Sequence, residues 1–222
     1  MVRFSLITIM AACVLTGCQQ GNRSNDETAF QGEVNLKPVV AVVPVIDNTK
    51  NNLEWDLSEE FTSGVYYQLA QRDGLFLANP SKVRSSIKNL RESNDPFGSD
   101  VSWIKNAFKE NEFVVFMELI QHEEIYRQDR KNPKEDSRCS ADLNMGMRVR
   151  VFDVRGDQPK IVLQELIRNT HFIARPFTQE NFYQSSWGHA SFMVSPMGFA
   201  HEQFIKEISS RLDEYILFAS SK

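Results

Sequence analysis

The feature that most constrains the fold is a pair of long strand patterns joined by a short turn. From residue 143 to residue 151, large apolar side chains alternate with small or polar ones. The apolar set is Leu143, Met145, Met147, Val149 and Val151. A period of two is typical of a strand with one buried face. The turn sequence Gly156-Asp157-Gln158-Pro159 follows, and residues 160–172 form the second strand pattern. We therefore predict an antiparallel hairpin within a sheet.

Four segments have helical patterns, three before the hairpin in the chain and one after it. The first follows Asp56, a candidate N-cap, and we expect Gly74 to cap its C-terminus. The second begins at Asn79-Pro80, the third covers residues 99–110, and the fourth begins at Ser195-Pro196. Their apolar stripes are Leu57, Phe61, Val65 and Leu69; Val83, Ile87 and Leu90; Val101, Ile104 and Phe108; and Phe204, Ile205, Ile208, Leu212, Tyr215, Ile216 and Ala219. Each stripe predicts a helix with one face on the sheet.

Apolar runs predict three more strands, at residues 39–46, 75–78 and 113–120. The first run is continuous and contains Pro44, which cannot donate a backbone hydrogen bond and must therefore lie at an edge or a bulge. The resulting order is β-α-β-α-α-β-β-β-α. This order predicts an α/β (α+β) fold in which helices pack on a mixed sheet. We expect a single domain over residues 37–222.

The first 18 residues have the layout of a secretion signal. Arg3 gives a positively charged start, and residues 4–15 are almost wholly apolar. A helix of this length spans about 18 Å, which is too short for a bilayer core of about 30 Å. The segment therefore predicts a cleaved signal peptide, residues 1–17, rather than a membrane span.

The signal ends in Leu15-Thr16-Gly17-Cys18, which resembles the lipobox of bacterial lipoproteins. The resemblance implies cleavage before Cys18, diacylglycerol on its thiol and an acyl chain on its new N-terminus, which together anchor a protein stably. Gln19 follows instead of aspartate, and the enteric sorting rule then implies the outer membrane, facing the periplasm. Residues 18–36 predict a lipidated flexible tether. The alternative is an ordinary signal peptide with a chance cysteine.

Composition excludes one class of function and leaves one cysteine unexplained. The formal net charge is −4 and no run of Lys and Arg exceeds two residues, which argues against a nucleic-acid binder. Cys13 is lost with the signal and Cys18 carries the lipid, so Cys139 has no intramolecular partner. A buried inert thiol and an intermolecular disulfide both remain open for Cys139.

The segment between the hairpin and the final helix, residues 175–195, is a long loop rich in aromatic side chains. These side chains are Phe177, Phe182, Tyr183, Trp187 and Phe192. They are candidate partner-binding residues, because aromatic side chains anchor protein interfaces and stack on sugars. The alternative is that the loop folds back and caps the sheet.

Signals for catalysis and for metal binding are weak. Ser85-x-x-Lys88 and Ser102-x-x-Lys105 have the spacing of penicillin-interacting enzymes but lack a Lys-Thr-Gly partner. The histidines are His122, His171, His189 and His201. A metal site needs three or four converging ligands, and the sequence alone does not gather these residues. We therefore predict no catalytic residue, no metal site and no cofactor.

A resemblance to known families is carried by residues 39–80. The strand Val-Ala-Val-Val-Pro-Val, an Asp-Asn-Thr turn, an amphipathic helix, Leu-Phe-Leu-Ala and Asn79-Pro80-Ser81 follow one another. This order is similar to envelope lipoproteins such as the activators of penicillin-binding proteins, the curli secretion lipoprotein and the N-terminal domain of the Tol translocation protein. The whole chain more narrowly resembles a small chlamydial lipoprotein family of uncharacterised function. The resemblance implies a non-enzymatic envelope protein that binds a partner.

Together these features predict a lipid-anchored envelope protein whose domain binds an envelope protein partner. One alternative is an envelope hydrolase with an unrecognised site, which a deep pocket with converging histidine and carboxylate groups would favour. Another is a subunit of an oligomeric export or pore assembly, although the chain has one long hairpin where the curli channel has two. An exposed aromatic patch would favour the binding module. The partner and the oligomeric state stay open.

Overall fold

The computed structural model describes residues 37–51, 53–88, 90, 94–127, 140–174 and 186–222. In chain order the elements are β1 Val39–Val42, β2 Ile46–Asp47, α1 Leu57–Ala70, β3 Phe76–Leu77, α2 Pro80–Lys88, α3 Trp103–Ala107, β4 Phe113–Tyr126, β5 Ala141–Asp153, β6 Lys160–Ile173, α4 Ala190–Met193 and α5 Pro196–Ser220. They confirm the predicted α/β (α+β) class, with helices packed on a mixed sheet. The predicted signal peptide and tether lie outside the described residues.

The sheet has the order β3-β1-β4-β5-β6, and β2 pairs with β4 beyond the end of β1. β1 is parallel to both β3 and β4. β4, β5 and β6 are antiparallel, and Leu143 and Val151 on β5 lie opposite His171 and Leu163 on β6. The predicted hairpin is therefore present, because its alternating pattern gives one face to the core at every second residue.

The first predicted strand is broken at Pro44, which corrects the expectation of a continuous strand over residues 39–46. The backbone N–H of Val43 still donates to the carbonyl of Val115 on β4. Pro44 has no N–H, and the N–H of Val45 donates at 2.8 Å to Oγ1 of Thr62 on α1. A side chain of α1 thus replaces the sheet as hydrogen-bond partner where proline interrupts the ladder.

The helix termini follow local hydrogen bonding. Asp56 caps α1 by accepting from the N–H of Ser58, as predicted. Ser195 likewise caps α5 by accepting from the N–H of Gly198. The predicted cap at Gly74 is wrong: α1 ends at Ala70 with Gln71 in a right-handed helical conformation, so no left-handed glycine is needed there.

The third helix is much shorter than its predicted range of 99–110. Asp100 accepts hydrogen bonds from the backbone N–H and the hydroxyl of Ser102, at 3.1 and 2.7 Å. This local turn competes with helix formation, so α3 begins only at Trp103 and ends at Ala107. Its inward contacts are still those of the apolar stripe, because Ile104 and Phe108 are both buried.

The two faces of the sheet carry separate layers of helices. On one face, buried residues of β4 and β5 such as Met117 and Val149 belong to the same core as α1 and α5. On the other face, Val114 and Phe152 pack with α2 and α3. Farther along that second face, four large apolar side chains are partly exposed to solvent: Ile120, Ile125, Leu166 and Phe172. α1 and α5 thus lie on the opposite face of the sheet from α2 and α3.

β4 extends to Tyr126, six residues past its predicted end at Ile120, because β5 pairs with it along its whole length. The pairing contains a β-bulge between Leu119 and Gln121. Residues 128–139, which include Cys139, lie outside the described residues. None of the helices in the described part of the chain has the length and apolarity needed to cross a bilayer.

Candidate functional site

The predicted site residues fall into two groups. Cys18, Phe177, Phe182 and Tyr183 lie outside the described residues. Trp187 is half-buried against the main core and Phe192 is only 2% exposed. In this conformation Phe192 offers no surface to a partner, which is the arrangement expected where the loop folds back onto the domain. Partner binding by these aromatic residues stays a prediction.

Residues 186–195 lead into the last helix, α5, and are called the 186–195 segment. Gly188 has a φ of +94°, a backbone conformation that side chains rarely allow. The segment then forms α4 and ends at the N-cap Ser195. A Cβ atom at Gly198 would lie 2.0 Å from the carbonyl oxygen of Phe192. Glycine at position 198 therefore permits the close contact between this segment and the first turn of α5.

Three large apolar side chains at the end of this segment point to solvent. Met193 is 53% exposed, Val194 is 76% exposed and Phe199 is 53% exposed. Val194 and Phe199 stand on either side of the N-cap at the positions of a hydrophobic staple, which brings such side chains together. We call these three residues the apolar patch. A staple accounts for apolar residues at two of these positions but not for the exposure of all three.

A row of hydrogen-bonded polar side chains lies in the core beneath Phe192. The indole N–H of Trp55 donates at 2.7 Å to Oε2 of Glu60 on α1. Nδ1 of His201 on α5 lies 2.7 Å from Oε1 of Glu60, so it donates to the carboxylate. Nε2 of His201 lies 2.8 Å from Nε2 of His122 on β4. The row links both helices of this face to the sheet through groups that are 9% exposed or less, apart from the partly buried Trp55.

Aromatic rings enclose the row. The ring centroids of Phe61 and Phe192 lie 5.2 and 5.7 Å from that of His201, and Phe192 also meets Trp55 edge-on at 5.3 Å. The predicted partner-binding residue Phe192 is therefore part of the wall around the buried histidines. Such surroundings keep water away and strengthen the hydrogen bonds of the row.

Burial opposes a positive charge on His122 and on His171. The pKa of His122 is lowered from 6.5 to about 3, chiefly by burial and then by the charge of His201, while the Asp47 carboxylate acts in the opposite direction. The pKa of His171 on β6 is also lowered, first by burial and then by His201, while Glu207 raises it. Nε2 of His171 is buried and has no hydrogen-bond partner among the described residues.

The sequence gives a readable signal for Glu60 and His201 but not for His122. Glu60 lies three residues after Leu57, and His201 three residues before Phe204, so both stand on apolar helical stripes. His122 departs from the alternation of Met117 and Leu119, which would turn it to the opposite face. The β-bulge after Leu119 shifts the alternation by one residue and points His122 into the core.

The row does not have the arrangement of a metal centre. A zinc ion bound between two imidazoles would lie about 2.0–2.1 Å from each nitrogen, which needs a wider separation than the 2.8 Å between the two Nε2 atoms. Among the described residues, no group of three or more histidine, cysteine, aspartate or glutamate side chains is placed to hold a metal ion.

An open groove of about 1040 Å³ lies apart from the histidines. Phe76 and Asn79 at the end of β3, Lys82 on α2, and Asn106 and Glu110 near α3 are among its lining residues. Lys82 and Glu110 form an exposed ion pair at 3.5 Å. The lining residues of this groove include Ser85 from one of the two Ser-x-x-Lys motifs but none of the histidines in the row.

The family follows from almost the whole length of the sequence. The model of a family of unknown function, DUF7499, matches residues 26–220. The chain belongs to this family. No curated protein is similar to the sequence.

The fold has a counterpart in the structure of the hypothetical protein CT253 from Chlamydia trachomatis. The two chains are 22% identical, and they superpose with a TM-score of 0.62 over 81% of this chain and 98% of that chain. This match confirms, at the level of the fold, the predicted similarity to a chlamydial protein. At this identity the likeness shows the fold alone.

Bacterial lipoproteins are also among the similar structures. Lipoprotein GNA1162 from Neisseria meningitidis is 11% identical, with a TM-score of 0.40 over 66% of this chain and 90% of that chain. The C-terminal domain of LpoB from Salmonella enterica is 12% identical, with a TM-score of 0.37 over 62% of this chain and 86% of that chain. Because both TM-scores lie below 0.5, neither likeness supports an inference about what this chain does.

Proposed function

We propose that this chain is a lipid-anchored protein of the bacterial envelope whose domain binds a partner protein through the apolar patch and the aromatic loop that precedes it. The single observation that supports this proposal is the exposure of Met193, Val194 and Phe199, which lie around the start of α5. Accessible apolar side chains grouped on one surface are typical of protein-binding sites. A partner would cover them and gain the free energy of their removal from water.

The alternative of an envelope hydrolase is less well supported. Histidine and carboxylate groups do converge in Glu60, His201 and His122, but these side chains are buried and their facing atoms are bonded to one another. A general base must reach a proton of the substrate, and a base enclosed in the core cannot do so. We therefore propose no catalytic residue and no cofactor for this chain.

The partner proposal predicts a loss of binding when the apolar patch is made polar. We expect the double variant Met193→Ser/Phe199→Ser to capture its partner at least about thirtyfold more weakly, the loss typical of about 2 kcal/mol at an interface hot spot. The measurement is affinity capture from gently solubilised envelope membranes with mass spectrometry, followed by titration of the protein recovered.

Phe218→Ser is the matched control, because Phe218 is a 61% exposed phenylalanine near the other end of α5. It should capture the same protein as wild type. Equal losses in both variants, or recovery of nothing above an unrelated lipoprotein, would contradict the proposal. Circular dichroism and thermal melting must show that both variants remain folded.

The membrane anchor is proposed from Leu15-Thr16-Gly17-Cys18. We expect Cys18→Ser to move the chain from the detergent phase to the aqueous phase on Triton X-114 partition, since the thiol that takes the diacylglycerol is gone. Wild type should release an N-terminal peptide whose mass carries acyl chains. Cys13→Ser is the control and should leave partition unchanged. Retention of Cys18→Ser in the detergent phase would refute the anchor.

Separation of inner and outer membranes then tests the proposed location. Gln19 at the position after the lipidated cysteine supports an outer-membrane lipoprotein whose domain faces the periplasm. Co-sedimentation with inner-membrane markers would reject that location without affecting the proposed anchor.

A further inference from the structure

The histidine pair, His122 and His201, holds one proton between its two rings. With Nε2 atoms 2.8 Å apart, one ring must donate and the other must accept through an unprotonated nitrogen. If both rings were fully protonated, two N–H groups would face each other and two cations would adjoin within the core. Both effects are unfavourable in a buried site. The observed arrangement therefore excludes a doubly charged pair.

Phe192 holds the 186–195 segment against this pair. Its ring contacts the ring of His201, and it contacts the indole of Trp55, which donates to Glu60. The segment contains one helix of four residues, and its residues from Gly188 to Ser191, with Met193 and Val194, are exposed. Ser195 at its end is also buried, as the N-cap of α5. A segment with so few buried side chains can open locally at a lower cost than unfolding of the sheet.

Charged or titratable groups lie near the pair on three other elements of the described structure. Glu60 on α1 bonds to His201, Asp47 on β2 acts on His122, and His171 on β6 interacts with His201, while Glu207 on α5 acts on His171. The Asp47 carboxylate favours a proton on His122, but burial outweighs it. For His171, burial likewise outweighs the Glu207 carboxylate, which favours a proton on the ring. Burial, which opening would relieve, is thus the main reason that His122 and His171 resist protonation in the closed structure.

We propose that the histidine pair is an acid-sensitive switch that controls exposure of the 186–195 segment. At neutral pH the pair keeps Phe192 and Trp187 against the core, and in acid its second proton releases the segment and exposes both aromatic rings. The inference rests on the proposed function, because it describes the regulation of the same partner surface. Release adds two aromatic side chains to that surface, and partner capture becomes stronger in acid.

The direction and the size of the pH effect on the opening equilibrium follow from proton linkage. The pKa of His122 is about 3 in the closed structure, and an exposed histidine titrates near 6.5, so the open form binds more protons between these two values. Acid therefore favours the open form, and the effect disappears above about pH 7. Relative to pH 7.5, we expect the opening equilibrium to rise about tenfold at pH 5.5 and about a hundredfold at pH 4.5.

Hydrogen exchange with mass spectrometry on the complete mature chain tests this switch. After correction for intrinsic exchange rates, amides of residues 186–195 should open about tenfold more often at pH 5.5 than at pH 7.5. Amides of β4 and β5 should keep their protection. His122→Gln, which cannot titrate, should lose most of the pH effect. His189→Gln is the matched control, because His189 is an exposed histidine of the same segment and should keep the effect.

Three results would overturn the switch. Exchange of residues 186–195 could be independent of pH; β4 and β5 could lose protection together with them, which would mean global unfolding; or His189→Gln could abolish the effect. If His122→Gln fails to fold, Phe192→Ala replaces it and should leave residues 186–195 unprotected at both pH values. The exchange experiment uses the chain alone, so its outcome is separate from the success or failure of partner capture.

Discussion

Replacement of Glu60 by alanine is expected to lower the free energy of unfolding by about 3–5 kcal/mol, because it removes the shared acceptor of one buried and one partly buried donor. Trp55 Nε1 and His201 Nδ1 both donate to this carboxylate at 2.7 Å. The Glu60 and His201 side chains are 3% and 1% exposed, so water cannot replace the lost acceptor. Equilibrium urea unfolding at pH 7.5 measures the change.

Glu59→Ala provides the matched control on the same turn of α1. Glu59 is 41% exposed and pairs with Arg84 at 2.6 Å, so its loss should cost about 1 kcal/mol or less. Glu60→Gln keeps the size and one acceptor oxygen, and its cost should fall between the two. If Glu60→Ala and Glu59→Ala unfolded at the same urea concentration, the buried row would not contribute to stability as described.

The second large effect is expected at Gly198. A methyl group there would lie 2.0 Å from the carbonyl oxygen and 2.8 Å from the carbonyl carbon of Phe192, and both atoms belong to the backbone. Overpacking typically costs about 1–3 kcal/mol, and we expect Gly198→Ala to reach the upper end of that range or to displace the 186–195 segment. The gain in helix propensity, about 1 kcal/mol, does not offset this clash.

Urea unfolding and hydrogen exchange at pH 7.5 distinguish these two responses. Displacement of the segment would give Gly198→Ala rapid exchange at residues 186–195 without acid, and it would reproduce the open form of the proposed switch. Gly156→Ala is the control, because the nearest atom to a Cβ there is 3.8 Å away. It should change stability by less than about 1 kcal/mol. A Gly198→Ala variant with wild-type stability and wild-type exchange would disprove the close contact.

The predictable parts of the fold are those in which the residues of a single helix or strand specify its buried face and its ends. The alternation from Leu143 to Val151 and the stripe from Phe204 to Ile216 each state which face of the element is apolar. Asp56 and Ser195 state where two helices begin, since their side chains accept from nearby backbone N–H groups. Neighbouring elements do not change these local preferences.

Two of the errors arose where another interaction or a proline competed with the apolar pattern. Asp100 forms a turn with Ser102 and shortens the third helix. Pro44 interrupts the first strand, and Thr62 on another element then replaces the sheet as partner of Val45. In each case the apolar pattern correctly located the buried side chains, because burial depends on the hydrophobic effect more than on helix or strand length.

By itself the sequence determined the mixed sheet with its helices, the hairpin and the faces that pack inward, because periodicity fixes the apolar side of each element. Only the tertiary structure brought His201 to Glu60 across 141 residues and to His122 across 79 residues. It also buried Phe192 while leaving Met193 and Val194 accessible. These outcomes depend on a β-bulge in β4 and on the packing of α1 and α5 on one face of the sheet, which no pattern within a single element specifies.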